Sequence, residues 1–205
     1  MISSNLSRSI FGAGFIAAVL FTYRAFLEGG MVAELSSNKQ LAESGLSEEW
    51  KNGNVILLIR HEERCDLSGS PCLGPDDGIT LSGGERAKEA GVRIKSYFGL
   101  SNSDIFTDSA TSSIQTSDIM LGNSSPLPSR EDICGVDIIS RLLKFKVANK
   151  NIIVVTDKVC VIDLIKYSGK RKSKNLEYGS LLFAKVSRYN RLEIIGILKS
   201  DDIPK

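Results

Sequence analysis

The segment Val55-Ile56-Leu57-Leu58-Ile59-Arg60-His61-Glu62-Glu63-Arg64 begins with five consecutive aliphatic residues and ends abruptly in a charged cluster. A continuous apolar run of this kind reads as a strand buried on both faces, as in the centre of a parallel sheet with helices above and below. The carboxyl end of such a strand is where α/β folds place their ligands. His61 stands at that end, and it is the only histidine among 205 residues. A neutral imidazole beside a fixed guanidinium suits attack on a held anion, with Arg60 gripping a phosphoryl oxygen while a ring nitrogen of His61 attacks phosphorus. A surface histidine that happens to follow a strand is the plainer alternative.

Outward from this segment, strand and helix patterns alternate. Ser82 and Glu85 have capping-box spacing, and Ala87, Ala90, Ile94 and Phe98 recur at helical intervals, which predicts a helix from about Gly83 to Phe98. Leu81-Ser82-Gly83-Gly84-Glu85 looks like the signature of ABC-type ATPases, but the chain contains no Gly-x-x-x-x-Gly-Lys-Ser/Thr phosphate loop to accompany it. Ile105-Phe106-Thr107 reads as a short strand, Ser109 to Leu121 as a helix, Ser124 to Ser129 as a Pro/Ser loop, and Val136 to Val147 as a third helix. Ile152-Ile153-Val154-Val155-Thr156 is a second central strand, followed by a helix over Val159 to Tyr167. Leu181 to Val186 and Leu192 to Leu198 close the chain as two strands joined by a turn at Arg188-Tyr189-Asn190-Arg191. This order predicts an α/β three-layer sandwich whose central sheet is mostly parallel, with one antiparallel edge pair.

Composition limits the alternatives. At 42% hydrophobic residues the chain has material for one sizeable core. Its 26 basic and 24 acidic residues nearly balance, so there is no electrostatic footprint for nucleic acid. The local basic run Lys170-Arg171-Lys172-Ser173-Lys174 reads as a solvated loop. At the amino terminus, Arg8 precedes an uncharged apolar stretch from Ile10 to Tyr23, the make-up of a secretory n-region and h-region. That stretch is shorter than the ~20 residues that span a bilayer comfortably, and no clean small-x-small cleavage site follows it. Residues 1–33 are therefore expected to be a signal peptide or an N-terminal membrane anchor. Residues 34–50 read as a polar linker ending in a short helix capped by Ser47, and residues 51–205 as the globular domain.

Export bears on the four cysteines, because an oxidising compartment makes pairing the default. Cys65 and Cys72 bracket a loop with Gly69, Ser70 and Pro71, turn residues that bring two ends together, so these two are expected to pair. Of the three possible connectivities, a second bridge between Cys134 and Cys160 is the simplest completion. With no Cys-x-x-Cys and one histidine, a zinc site is disfavoured, and nothing implies a cofactor.

Leu58-Ile59-Arg60-His61-Glu62, with Ile79-Thr80-x-x-Gly83-x-x-Arg86-Ala87 and the later central strand, resembles the histidine phosphatase superfamily, whose fold is phosphoglycerate-mutase-like. More narrowly, Arg60-His61-x-Glu63-Arg64-Cys65-Asp66, Cys72-Leu73, Gly78-Ile79-Thr80, Ile114-Gln115, Cys134-Gly135 and Asn151-Ile152-x-Val154 look like the periplasmic lipopolysaccharide core heptose(II)-phosphate phosphatases. The resemblance covers roughly residues 50 to 198. It implies His61 as a nucleophile that becomes phosphohistidine, Arg60 as the first phosphate clamp, Arg64 as a further group facing the pocket, and Asp137 as the carboxylate that protonates the leaving oxygen. A charge at a helix start is the structural alternative for Asp137. The implied substrate is a phosphorylated small molecule or lipopolysaccharide sugar.

The chain departs from the pattern at two positions. Ser112 stands where the resemblance implies a second arginine, and Asp157 where it implies a second histidine. Two unit charges ~4 Å apart interact by about 4 kcal/mol at an effective dielectric near 20, so losing one such arginine costs on the order of hundreds to a thousandfold in rate if its contact is specific to the transition state. Asp157 adds repulsion of a phosphate dianion, and Lys158 is the candidate to restore positive charge, although a flexible point charge does not reproduce a bidentate fork. Two functions follow: an exported phosphomonoesterase, or a catalytically impaired relative that binds phosphate or glycan through Arg60 and His61.

Overall fold

The computed structural model describes residues 30–127, 133–171, 176–187 and 191–204. The run at 55–60 forms β1 (Val55–Arg60), with Val55 to Ile59 wholly buried. It is flanked in space by β4 (Asn151–Thr156), which is buried along its whole length, and by β5 (Leu181–Val186). With β2 (Ser103–Thr107), β3 (Ser125–Pro126) and β6 (Leu192–Leu198) they build one six-stranded sheet in the order β3-β2-β4-β1-β5-β6. The first four of these are mutually parallel, while β5 is antiparallel to β1 and β6 antiparallel to β5. The expected mixed sheet, mostly parallel with an antiparallel edge pair, is thus present.

Alternation along the central strands divides the core into two layers. Val55, Leu57, Ile59, Ile153 and Val155 pack with Ala87, Ala90 and Ile94 of α3 (Leu81–Tyr97) and Met120 of α4 (Thr111–Met120). Ile56, Leu58, Ile152 and Val154 pack on the other face with Ile138 and Leu142 of α5 (Ile138–Phe145) and Val161 and Leu164 of α6 (Lys158–Tyr167). The α3–α4 contact is close, since a Cβ on Gly91 would lie 2.1 Å from the Met120 carbonyl oxygen. Helices above and below a two-sided sheet make the expected three-layer sandwich.

Three local expectations need correction. Residues 34–50 are packed rather than a free linker: Leu35, Leu41, Leu46 and Trp50 are buried in the α3–α4 layer, within α1 (Asn38–Glu43) and α2 (Leu46–Lys51) or just before them. Ala33 and Leu35 also exchange backbone hydrogen bonds with Ile197 of β6, covering that edge. Helix α2 starts from Gly45 in the left-handed conformation (φ 71°), not from Ser47. Helix α3 is capped by Thr80, whose Oγ1 accepts from the Gly83 N–H at 2.9 Å, two residues before the Ser82 the spacing points to. The apolar stretch 10–23, Pro128 and Ser129 of the Pro/Ser loop, most of the basic run at 170–174 and the turn at 188–190 lie outside the described residues. Among the described residues, no helix is long and apolar enough to cross a membrane.

Candidate active site

The β1–β4 ladder continues one residue past Arg60, because the His61 N–H donates to the Thr156 carbonyl at 2.9 Å. This fixes the His61 backbone at the carboxyl edge of the sheet, with the residue only 5% exposed. Its Nδ1 lies 2.7 Å from the Glu62 carbonyl oxygen. A carbonyl only accepts, so Nδ1 carries the proton and Nε2 keeps a bare lone pair. Burial pulls the imidazole below the ordinary histidine value and Arg60 adds to that, while the Glu62 carbonyl and the Asp108 and Asp157 carboxylates oppose it. A neutral ring at neutral pH follows.

Arg60 is held from the other side. Gly179 N–H donates to the Arg60 carbonyl at 3.1 Å and Arg60 N–H to the Ser180 carbonyl at 2.9 Å, a clasp that brings Tyr178 to the guanidinium. The Arg60 carbon Cζ sits 3.8 Å from the Tyr178 ring centroid, and one terminal nitrogen donates to the Leu176 carbonyl at 2.6 Å. The Tyr178 and His61 ring centroids are 6.2 Å apart. Burial lowers the Arg60 pKa and the nearby Tyr178, Asp157 and Glu62 raise it; a guanidinium remains charged throughout. Its Nε is buried with no hydrogen-bond partner among the described residues.

Behind the histidine lies a buried acid. Glu62 is 1% exposed, its Oε2 accepts from Arg86 Nε of α3 at 3.0 Å, and its N–H donates to Thr116 Oγ1 of α4 at 3.0 Å. Burial raises the Glu62 pKa, and Arg86 counters. Arg86 also reaches Glu63 Oε2 at 3.5 Å. Gly179, with φ +69°, is required here twice over, since a Cβ there would stand 2.5 Å from Glu62 Oε1.

The other sequence-predicted residues are placed unevenly. Arg64 turns to Asp66, donating from Nε to Oδ1 at 2.9 Å and from a terminal nitrogen to Oδ2, with both side chains about one-third exposed. Asp157 lies near enough to act on both His61 and Arg60, but its Oδ1 accepts from the Cys160 N–H at 2.9 Å and so caps α6, which Lys158 opens. Ser112 is buried in the first turn of α4, where its carbonyl accepts from Thr116 Oγ1. Asp137 sits at the start of α5, 63% exposed, with its carboxylate 3.8 Å from Arg141. The position is a helix start, and the carboxylates that raise the His61 pKa are Asp108 and Asp157. The cysteines pair as Cys65–Cys72 and Cys134–Cys160, with Cα separations of 5.4 and 4.9 Å.

Sequence reasoning missed Asp108, Tyr178 and Thr116. Asp108 is fully buried, with one oxygen accepting from Thr156 Oγ1 at 2.8 Å and the other from Ala110 N–H at 3.1 Å. A polar residue directly after strand β2 was the only signal for it.

No family model matches the chain. It is 30% identical over 159 residues to a lipopolysaccharide core heptose(II)-phosphate phosphatase of Salmonella arizonae, covering 71% of this chain and 78% of that one. The same identity holds over 158 residues for the protein of that name from Salmonella newport, covering 70% and 77%. Among solved structures it is similar to a phosphoserine phosphatase mutant of Entamoeba histolytica bound to phosphoserine, with TM-score 0.55, 14% identity, and 73% and 99% of the two chains covered. A phosphoglycerate mutase of Bacillus anthracis gives TM-score 0.55 at 12% identity, covering 75% and 97%. At those identities the structural likeness establishes the fold.

Proposed function

This chain belongs to the histidine phosphatase superfamily, in the branch that holds the lipopolysaccharide core heptose(II)-phosphate phosphatases, and from that premise we propose that it is an exported phosphomonoesterase acting through a phosphohistidine at His61. The observation that carries the proposal is the His61 ring, with Nδ1–H committed to the Glu62 carbonyl and Nε2 bare, within reach of the charge of Arg60. In the first step His61 Nε2 bonds to phosphorus as the phosphorus–oxygen ester bond breaks. Its electron pair goes to the leaving oxygen, which takes a proton from water rather than from Asp137, whose carboxylate faces Arg141. The resulting hydroxide then attacks the phosphohistidine, releasing inorganic phosphate and returning neutral His61. Arg60 neutralises charge on the phosphoryl oxygens, with Lys158 at the start of α6 and Arg64, once freed from Asp66, as supplementary cations.

The substrate class is a phosphorylated sugar, with lipopolysaccharide core heptose phosphate the leading candidate from the names of the relatives. Export to the periplasm is supported by Arg8 followed by the apolar stretch 10–23, whether cleaved or kept as an anchor, and by two cysteine pairs that suit an oxidising compartment.

The second reading, a phosphate- or glycan-binding protein with impaired catalysis, draws on a specific observation. Asp108 and Asp157 both place negative charge near His61, and Ser112 and Asp157 occupy the positions where a second arginine and histidine are expected. Turnover of an aryl phosphate by the full chain, beside His61→Ala, separates the two. An acid-labile phosphohistidine trapped in the native chain and absent from His61→Ala supports the enzyme; equal rates for the two proteins remove it.

A further inference from the structure

The hydrogen bonds behind His61 begin on a different element from the loop that carries it. Thr116, fully buried in α4, donates its hydroxyl proton to the Ser112 carbonyl at 2.7 Å. With that single proton used, its oxygen can only accept from the Glu62 N–H at 3.0 Å, so the direction of the pair is fixed. The Glu62 amide has no place in the backbone ladders on either side: the β1–β4 ladder ends at His61 N–H to Thr156, and the next backbone bond of the loop is Thr80 N–H to Glu63. The preceding residue of the same helix, Gln115, accepts from Ile79 N–H at 2.8 Å and so holds the far side of the loop. On the other flank, Arg86 fixes the Glu62 side chain. Residue Glu62 is thereby held at its N–H and its side chain, and Glu63 at its carbonyl, so that the intervening Glu62 carbonyl is aimed at His61 Nδ1.

We infer that Thr116 is a positioning residue for His61: its hydroxyl fixes the backbone N–H of Glu62, and the carbonyl of the same residue, one peptide group further on, selects the imidazole tautomer in which Nε2 is bare. Which ring nitrogen carries the proton is set by the hydrogen bond the other one makes, and residues behind a reactive imidazole exert their effect by holding that bond. Thr116 reaches no substrate. It acts only through Glu62, and the catalytic consequence rests on the reading of His61 as nucleophile, while the tautomer does not.

The uniqueness of His61 makes the test direct, because a full-length chain labelled with ¹⁵N-histidine reports a single ring. Above the His61 pKa, nitrogen shifts should show Nδ1 protonated and Nε2 bare. Thr116→Ser, which keeps the hydroxyl, should preserve that pattern, and Thr116→Val should move the ring toward the Nε2–H form. Thr116→Ala serves as a second variant if valine prevents folding. Aryl phosphate turnover should fall roughly ten- to a hundredfold in kcat for Thr116→Val, with little change in KM, and be retained by Thr116→Ser. A native ring protonated at Nε2, or a tautomer unmoved in folded Thr116→Val or Thr116→Ala, overturns the inference. If His61→Ala turns over as fast as the native chain, the nucleophile reading fails, and the tautomer measurement still decides the role of Thr116.

Discussion

Strands β1 and β4 lie side by side in parallel register and finish level with one another, Arg60 opposite Thr156. Both are apolar and buried, yet the chain treats their ends differently. After β1 it runs from His61 to Thr80 before the next α-helix, and the start of that loop is fixed by Thr156, Thr116, Arg86 and a cysteine pair. After β4 it turns at once into α6, and the carboxylate at the junction, Asp157, caps that helix. At the first end the hydrogen-bonding groups orient the ring proposed to react. At the second they complete a helix, a task that Asn, Ser or Thr performs about as well as Asp. Capping α6 by itself therefore does not require the negative charge of Asp157, and the two ends can be perturbed separately.

The largest effect is expected at the β1 end. Arg60→Ala removes the cation beside His61 and should lower kcat/KM for an aryl phosphate by on the order of a hundred- to a thousandfold. Arg60→Lys should recover only part, because an ammonium reproduces neither the stack on Tyr178 nor the fork of donors. Circular dichroism melts of both variants check that the fold survives. A loss in Arg60→Ala below tenfold would move the phosphate site away from this strand end.

The next effect, smaller in size, is the pH dependence that the β1 end imposes. Because burial depresses the His61 pKa, the acid limb of kcat/KM should fall below the ordinary histidine value of about 6.5, with activity dropping roughly tenfold per pH unit beneath it. The same shift links to stability. Between the folded pKa and about 6.5 the unfolded chain binds the proton more readily, so stability rises with pH across this window and is fully present above it. His61→Gln should flatten that slope in Tm against pH. Glu62 acts with the opposite sign: its raised folded pKa contributes stability that is present below the ordinary glutamate value of about 4.3 and is lost as pH rises through the folded pKa. Glu62→Gln in a separate melt series distinguishes the two.

What was legible in the sequence follows from what kind of information patterns carry. The aliphatic runs at 55–59 and 152–155 announce buried strands because nothing else accommodates them, and His61 and Arg60 are located by continuity with the first run. Residues 34–50 read as a linker because their buried residues, Leu35, Leu41, Leu46 and Trp50, are sparse among polar neighbours, and only the core they enter reveals them. Tyr178 reaches Arg60 through the antiparallel register of β5 on β1, Leu181 opposite Ile59, and no local pattern encodes which strand pairs with which. Thr116 and Asp108 were hidden for a related reason: each acts through a hydrogen bond to a residue about fifty positions away.

The smallest expected effect is at the β4 end, and it tests whether charge and capping at Asp157 are separable. Asp157→Asn keeps an oxygen that can accept from the Cys160 N–H, so thermal stability should change by only a few tenths of a kcal/mol. Asp157→Ala removes the cap and should cost about 1 kcal/mol. Both remove a negative charge that acts on Arg60 and His61, so both should bind inorganic phosphate more tightly, on the order of threefold, and more so at low salt because the interaction is electrostatic. Isothermal titration at two ionic strengths reads the binding, and melts read the cap. Tighter binding by both variants with a stability loss in alanine alone would establish that Asp157 serves the helix while opposing the anion. Unchanged binding in both would mean its carboxylate is directed so fully to α6 that the proposed phosphate site at His61 does not feel it.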